Sequence, residues 1–314
     1  MDNLTHSLVG ALIGQTGLKR KTGLAMPALI IGANLPDVDA ACFFWLDGVE
    51  HLAFRRGITH GPIAMVLLPL ILAGLLHWFD RWQAKRGKRP DTRLPVSFKW
   101  LFLLAFIGCL THPALDWLNV YGIRLLEPFS STWFYGDTLF IIDVWLWGLM
   151  GFATWWSLRQ EKRGGKWRKT GRQALAIALA YIGVNAYISI PGGLYTDEQV
   201  FQTVSSPLPF AFWNRELIIE MERPGYYTWS TEYGPPLRQK PILICRFDPD
   251  ALLKSATTNK DDVAAFLFWS RMPFAERAAD GSVLLRDARF YDPRARDRFS
   301  VAIPEAKCVE PKIG

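Results

Sequence analysis

The feature that most limits how this chain can fold is a series of long apolar runs before Pro191. A helix needs about 20 mostly apolar residues to cross a bilayer core. Leu24–Leu46, Pro62–Phe79, Trp100–Leu118 and Leu139–Trp156 come near that length. Ala174–Ile190 is about as apolar but slightly short, and Leu4–Leu18 is shorter still, fit to span with help or to lie partly embedded. The expected fold is an all-α polytopic membrane helix bundle over Met1–Ile190. A small α+β soluble C-terminal domain follows over Pro191–Gly314.

The formal net charge is +7, and topology explains it better than a nucleic-acid partner does. Basic clusters occur at Lys19–Lys21, at Arg81–Arg93 and at Arg159–Arg172, each between apolar runs. Cytoplasmic loops carry that bias. With the clusters inside, the six runs alternate, and the Asp47–Gly61 loop and the tail lie outside. The expected location is the bacterial inner (cytoplasmic) membrane, with the tail periplasmic in a Gram-negative cell. Long translocated domains cross largely regardless of their own charge. The N-terminus is not a usual signal peptide: it has no early basic region, and Asp2 and His6 interrupt it. Cys42 and Cys109 lie in apolar runs, whereas Cys245 and Cys308 lie in the tail. The tail pair could join in an oxidising compartment, with two free thiols as the equal alternative.

The tail has a different texture. "RELIIEMERPGYYTWSTEYG", "KPILICRFD" and "GSVLLRDARFYD" carry β-branched and aromatic residues between turn signals. "NKDDVAAFLFWSRMPFAERA" reads as one amphipathic helix from near Asn259, with Pro273 ending or kinking it. The tail holds no histidine.

All five histidines, His6, His51, His60, His77 and His112, lie in the apolar half. Asp37, Asp39, Asp116 and Asp143 fall inside apolar runs as well. A charge at a bilayer centre costs about 2.5–3.5 kcal/mol on insertion scales. Asp37, Asp39 and Asp116 together, unpaired and mid-membrane, would cost roughly 8–10 kcal/mol, comparable with the stability of a whole domain. They are therefore paired, metal-bound or near the interface. Leu24 to Asp37 and Phe98 to His112 are similar climbs of about 20 Å along a helix, so both reach the outer third. His60 precedes an inward run and His6 begins another. Four segments thus deliver His or Asp to one layer.

His112 and Asp116 stand four residues apart, which puts them on one helix face with Cβ atoms about 5–6 Å apart. Pro113 is expected to bend the chain there. Pro36 is expected to interrupt its helix and leave Asp37 and Asp39 as a more extended pair. Mixed imidazoles and carboxylates suit Zn²⁺, and with open positions they suit hydrolysis. A second ion would let such a site clamp a phosphoryl group. Each part alone has an ordinary reading. His6 is equally an interfacial polar residue, His60 a loop anchor, and Asp37 with Asp39 a turn. An HxxxD pair recurs by chance. Asp143 reads three ways: a ligand, an acid orienting a histidine, or a partner for Arg124. Asp137 reads as interfacial, and His51 and His77 as structural. The joint pattern is what carries weight.

"MDNLTHSLVG", "ANLPDVDA", "RRGITHGP", "THPALDWLNVYGIRLLEPFS" and "FIIDVW" together resemble the YdjM-like family of membrane-bound, LexA-regulated, predicted metal-dependent hydrolases. The resemblance covers about Met1–Trp156 and keeps the family's motif order. It implies His6, Asp37, Asp39, His60, His112 and Asp116 as metal ligands. The family is in turn distantly similar to zinc-dependent phospholipase C and fungal zinc nucleases, which are all-helical phosphoesterases.

The leading expectation is a membrane-bound, zinc-type hydrolase acting on a phosphoester, with a phospholipid or lipid-linked phosphate as substrate. One of the three aspartates, Asp39 or Asp116 before Asp37, would serve as general base instead of ligand, and Arg124, or in second place Arg55 or Arg56, would hold a phosphate. Membrane lipids are the expected partners, and nucleic acid is not. Two other classes remain open: a transporter or ion-conducting protein, since intramembrane His and Asp also build ion paths, and a non-enzymatic scaffold with a structural metal.

Overall fold

The computed structural model describes residues 1–190, 200–221, 227–231, 244–292 and 295–310. They divide into two compact units. One comprises Met1–Asp39, Arg56–Ile188 and Pro209–Phe212; the other comprises Ala40–Arg55, Ser189–Leu208 and Trp213–Gly314. Ala40–Arg55, within the apolar half of the sequence, therefore groups with the tail.

The first unit is helical. α1 (Asn3–Gln15) starts where the Asp2 carboxylate accepts from the amides of Leu4 and Thr5, at 2.9 and 3.0 Å. That satisfies two of the donors every helix start leaves open. α2 (Ala25–Gly32) stops short of the run that contains it, and a 3₁₀ helix, Leu35–Phe44, continues at a bend of 53°. The expected extended pair after Pro36 is thus a helical turn. Proline needs no N–H at a helix start, and the Asp37 amide closes an i to i−3 bond to the Asn34 carbonyl at 3.2 Å. α3 (His51–Phe54) belongs to the other unit.

α4 (Pro62–Lys85) and α5 (Phe98–Trp117) are long and apolar enough to cross a membrane, and α2 with its 3₁₀ continuation forms a bent third candidate. α5 continues through Pro113 to Trp117. α6 (Val144–Lys162) begins five residues later than the run Leu139–Trp156, because the Asp143 carboxylate caps it by accepting from the Trp145 and Leu146 amides. α7 (Trp167–Ile188) closes the unit.

Small residues let these helices meet closely. A Cβ on Gly10 or Gly108 would lie 2.7 or 2.5 Å from the Leu29 carbonyl oxygen, and one on Gly32 would lie 2.6 Å from the Ala105 oxygen. Close backbone approach over small residues is the common packing mode of membrane helices. Around these contacts Leu29, Leu72, Leu101 and Leu104 form one core, and Leu12, Leu115, Leu146 and Met150 form another. Ile71, Leu75, Trp78, Phe152 and Leu179 are exposed on the outer faces, an apolar surface of the kind that marks membrane contact.

The second unit holds two antiparallel three-stranded sheets. β1 (Val200–Pro207), β2 (Arg215–Met221) and β3 (Tyr227–Thr231) form one, with Val204 opposite Ile218 and Ile218 opposite Trp229. α8 (Pro249–Ser255) and α9 (Lys260–Trp269) precede the other: β4 (Pro273–Arg277), β5 (Ser282–Asp287) and β6 (Ser300–Lys307), with Leu285 between Ala275 and Val301. The single helix expected from near Asn259 is therefore a helix followed by a strand. Pro273 opens β4, where a missing N–H is tolerated, and Phe274 and Ala275 are buried beneath it. Residues 240–243 of "KPILICRFD" lie outside the described residues, and Ile244 bridges to Glu276. Cys245 and Cys308 form a disulfide.

Candidate metal centre

Four stretches of the first unit bring polar side chains into one buried cluster. α1 supplies His6, and the 3₁₀ helix after α2 supplies Asp37 and Asp39. A short 3₁₀ helix, Ile58–His60, supplies His60 just before α4. Gly61 is required at that junction, since a Cβ there would collide with the Glu127 carbonyl. α5 supplies His112 and Asp116 near its end. His6, His60, His112 and Asp116 are each 1% exposed or less.

Asp116 sits at the middle. Its Oδ1 lies 3.4 Å from His6 Nε2, and its Oδ2 lies 3.8 Å from His60 Nε2 and 3.7 Å from His112 Nε2. The Met1 amine also contacts Oδ1. His112 Nε2 is 3.7 Å from Asp37 Oδ1 as well. The rings of His6 and His112 stack with centroids 3.8 Å apart, and those of His60 and His112 lie 5.0 Å apart. Two overlapping donor sets result: His6, Asp37 and His112, and His60, His112 and Asp116. Within each set, one ligand atom per residue lies within 4.8 Å of the others, so either set could hold a metal ion.

The imidazoles are oriented from behind. His112 Nδ1 is 2.7 Å from the Ala33 carbonyl. A carbonyl can only accept, so Nδ1 carries the proton and Nε2 offers its lone pair to the cluster. His60 Nδ1 faces the Thr59 hydroxyl at 3.0 Å and Asp39 Oδ2 at 3.6 Å, leaving Nε2 toward Asp116. Asp39 thus lies on the far side of His60 and outside both donor sets. Both ring nitrogens of His6 and Nε2 of His112 are buried without a hydrogen-bond partner among the described residues. Each such atom costs about 1–3 kcal/mol if nothing satisfies it. Three carboxylates against the Arg56 guanidinium and the Met1 amine leave one surplus negative charge. Orphaned imidazole nitrogens and surplus carboxylate charge are what a divalent cation would satisfy.

Arg56, expected only as a second candidate for a phosphate, instead lies against the cluster. It stands at φ +56° in the left-handed region. Its amide donates to Asp39 Oδ2 at 2.8 Å, and its Nε lies 3.0 Å from Asp116 Oδ2. Its Nη1 donates to the Asn119 side chain and the Gly122 carbonyl, at 3.1 and 3.2 Å. Asn119 is fully buried; its position three residues beyond Asp116, at the end of α5, is the signal that sequence reasoning passed over. Arg124 is buried and pairs with Glu127 at 3.0 Å, its guanidinium over the Trp133 ring. Asp143 caps α6 and accepts from the Tyr181 hydroxyl at 2.9 Å. Asp137 turns the chain at φ +48°. His51 begins α3 in the second unit, and His77 lies edge-on to Phe98.

The model of the family described as YdjM inner membrane protein matches residues 1–190. The chain belongs to that family. The match takes in every residue of the cluster. YdjM membership and the apolar helices together make this a membrane protein. Among curated proteins, "Uncharacterized protein YfhP" of Bacillus subtilis (strain 168) is 27% identical over 141 residues, covering 42% of this chain and 39% of that protein. The chain thus spans well under half the length of that relative. No solved structure matches.

Proposed function

We propose that this chain is an inner-membrane hydrolase that uses a divalent cation, Zn²⁺ above others, to cleave a phosphoester of a lipid or lipid-linked phosphate. One observation carries the reading: buried imidazole nitrogens from three separate segments face a shared carboxylate, each oriented or left open as a ligand would be. Imidazole with carboxylate suits Zn²⁺, and fewer than four protein ligands leaves room for reaction. When bound, such an ion supplies Lewis acidity and lowers the pKa of adjacent water to about 7.

The chain's own residues divide the remaining work. Asp116 reaches all three histidines and fixes the cluster. Asp39 and Thr59 hold His60, so Asp39 acts through that ring rather than on reacting atoms. With an ion held by His60, His112 and Asp116, Asp37, whose side chain is 11% exposed, would be the acid most open to water and would accept its proton. Arg124 receives the substrate phosphate once it parts from Glu127, as guanidinium geometry favours.

The multi-pass topology is part of the same proposal. Basic clusters inside put the centre near the outer face, at headgroup level. The Cys245–Cys308 disulfide supports a tail on the oxidising side. The test is protein purified gently in detergent, assayed for bound metal and for phosphate release from phospholipid micelles. The expected result is about one zinc-class ion or more per chain, lost with His112→Ala, and hydrolysis that a chelator stops and Zn²⁺ restores. Less than one ion per chain with His112→Ala unchanged defeats the metal centre. A bound ion without hydrolysis defeats the enzyme, and metal uptake into sealed vesicles would then favour a transporter.

A further inference from the structure

The cluster draws its carboxylates from elements far apart in the chain: Asp39 from the 3₁₀ helix after α2 and Asp116 from the end of α5. Like charges brought together in a buried site repel, so something must hold them before a cation arrives. Arg56 touches both. Its backbone amide donates to Asp39 Oδ2 and its Nε faces Asp116 Oδ2. The side chain is itself braced, by Asn119 and Gly122 through Nη1 and by the Tyr121 ring 4.4 Å from its Cζ. Asn119 is locked in turn, because its Oδ1 also accepts from the Tyr121 amide at 2.8 Å. The residue is buried, and each of these contacts is to the protein itself.

We propose that Arg56 is a positioning residue of the metal centre. Through two different parts of one residue it ties Asp116, a member of the donor set, to Asp39, which holds the His60 ring from behind, so His60 and Asp116 are set against each other in the apo protein. The inference rests on the metal-centre reading and deepens it. Arg56's left-handed backbone is part of the device. A non-glycine residue reaches φ +56° only at some cost, and this conformation turns the amide to Asp39 while the side chain turns to Asp116.

The two halves separate by mutation. Arg56→Gly keeps the amide and suits the left-handed backbone but removes the guanidinium. Arg56→Lys keeps charge without the fork that reaches Asp116, Asn119 and Gly122 together. Full-length protein in detergent is loaded with Co²⁺, and its affinity is read by competition with a chelator while its visible spectrum reports ligand geometry. The expected result for Arg56→Gly is a Co²⁺ Kd raised about 10–100-fold, the range seen when groups supporting metal ligands are lost, with a changed spectrum. Arg56→Lys and Asn119→Ala are expected to shift both in the same direction by less. Wild-type affinity and spectrum in Arg56→Gly overturn the proposal. If that variant fails to fold, unchanged values in the other two overturn it. Unchanged Co²⁺ binding with weakened competition by inorganic phosphate would make Arg56 a substrate group instead, which also overturns it. Wild-type protein that takes up no Co²⁺ defeats the metal-centre reading and this one with it, whereas uptake with unaffected variants defeats the arginine's role alone.

Discussion

At the scale of single residues, acids in apolar runs divide into two kinds. Asp116 faces three imidazoles and a guanidinium, whereas Asp143 accepts from two helix-start amides and the Tyr181 hydroxyl. The same residue type in the same apolar setting thus serves a cluster in one case and a helix end in the other. Asp143→Ala is expected to lower thermal stability by about 0.5–2 kcal/mol, the cost of losing a cap, and to leave metal content at wild-type level. Asp116→Asn is expected to do the reverse, keeping the fold and losing the ion. Melting curves and metal analysis on both variants separate the two roles, and metal loss in Asp143→Ala would return that residue to the site. The HxxxD spacing of His112 and Asp116 was legible in the sequence because a helix period dictates it. The role of Asp143 was not, because a cap depends on where the helix begins, and the apolar run extends past that point in both directions. Arg56 was named as a second candidate for a phosphate, but its contacts with Asp39 and Asp116 were illegible for a related reason: its backbone turn and its two distant partners leave no periodic trace.

At the scale of elements, the centre depends on how closely α1, α2 and α5 approach. Gly10 lies one turn after His6, and Gly108 one turn before His112. Each faces the Leu29 carbonyl at a distance no Cβ tolerates. The residues that permit packing and those that form the cluster therefore share the same turns. Gly108→Ala is expected to push α5 off α2, cost about 1–3 kcal/mol as overpacking does, and weaken metal binding without touching a ligand. Gly74 in α4 has nothing within 4 Å of its would-be Cβ, so Gly74→Ala is the control that should leave both unchanged. Equal metal affinity in Gly108→Ala and wild type would show that the cluster does not rely on this approach. Hydropathy located α4 and α5 well, because length and apolar content are local properties. It overran α2, whose continuation bends by 53° where Pro36 restarts the chain as 3₁₀ helix. It also merged α9 with β4, since "SRMP" gives no period of its own to mark the change.

At the scale of the whole molecule, charge and covalent chemistry constrain the same question by independent routes. In the proposed topology, the basic clusters around Lys19, Arg86 and Lys166 favour the cytoplasm for their loops through insertion energetics. The Cys245–Cys308 bond closes a separation of 63 residues and persists only where thiols are not kept reduced. Both routes support the proposal of a tail on the outside. Charge bias acts on short loops during insertion, whereas a disulfide depends on the redox state around the finished domain, so the two arguments for the proposed orientation are independent. A C-terminal alkaline phosphatase fusion, which is active only after export, is expected to be active in cells, and a C-terminal green fluorescent protein fusion delivered by the same route is expected to be dark. In the purified protein, Cys308→Ser is expected to cost the second unit on the order of 2–4 kcal/mol, the usual worth of a disulfide, while metal bound by the first unit stays in place. An inactive phosphatase fusion with free thiols at both cysteines would reverse the orientation of every run and move the centre to the cytoplasmic leaflet. A lipid phosphate exposed on the outer face would then no longer be within its reach.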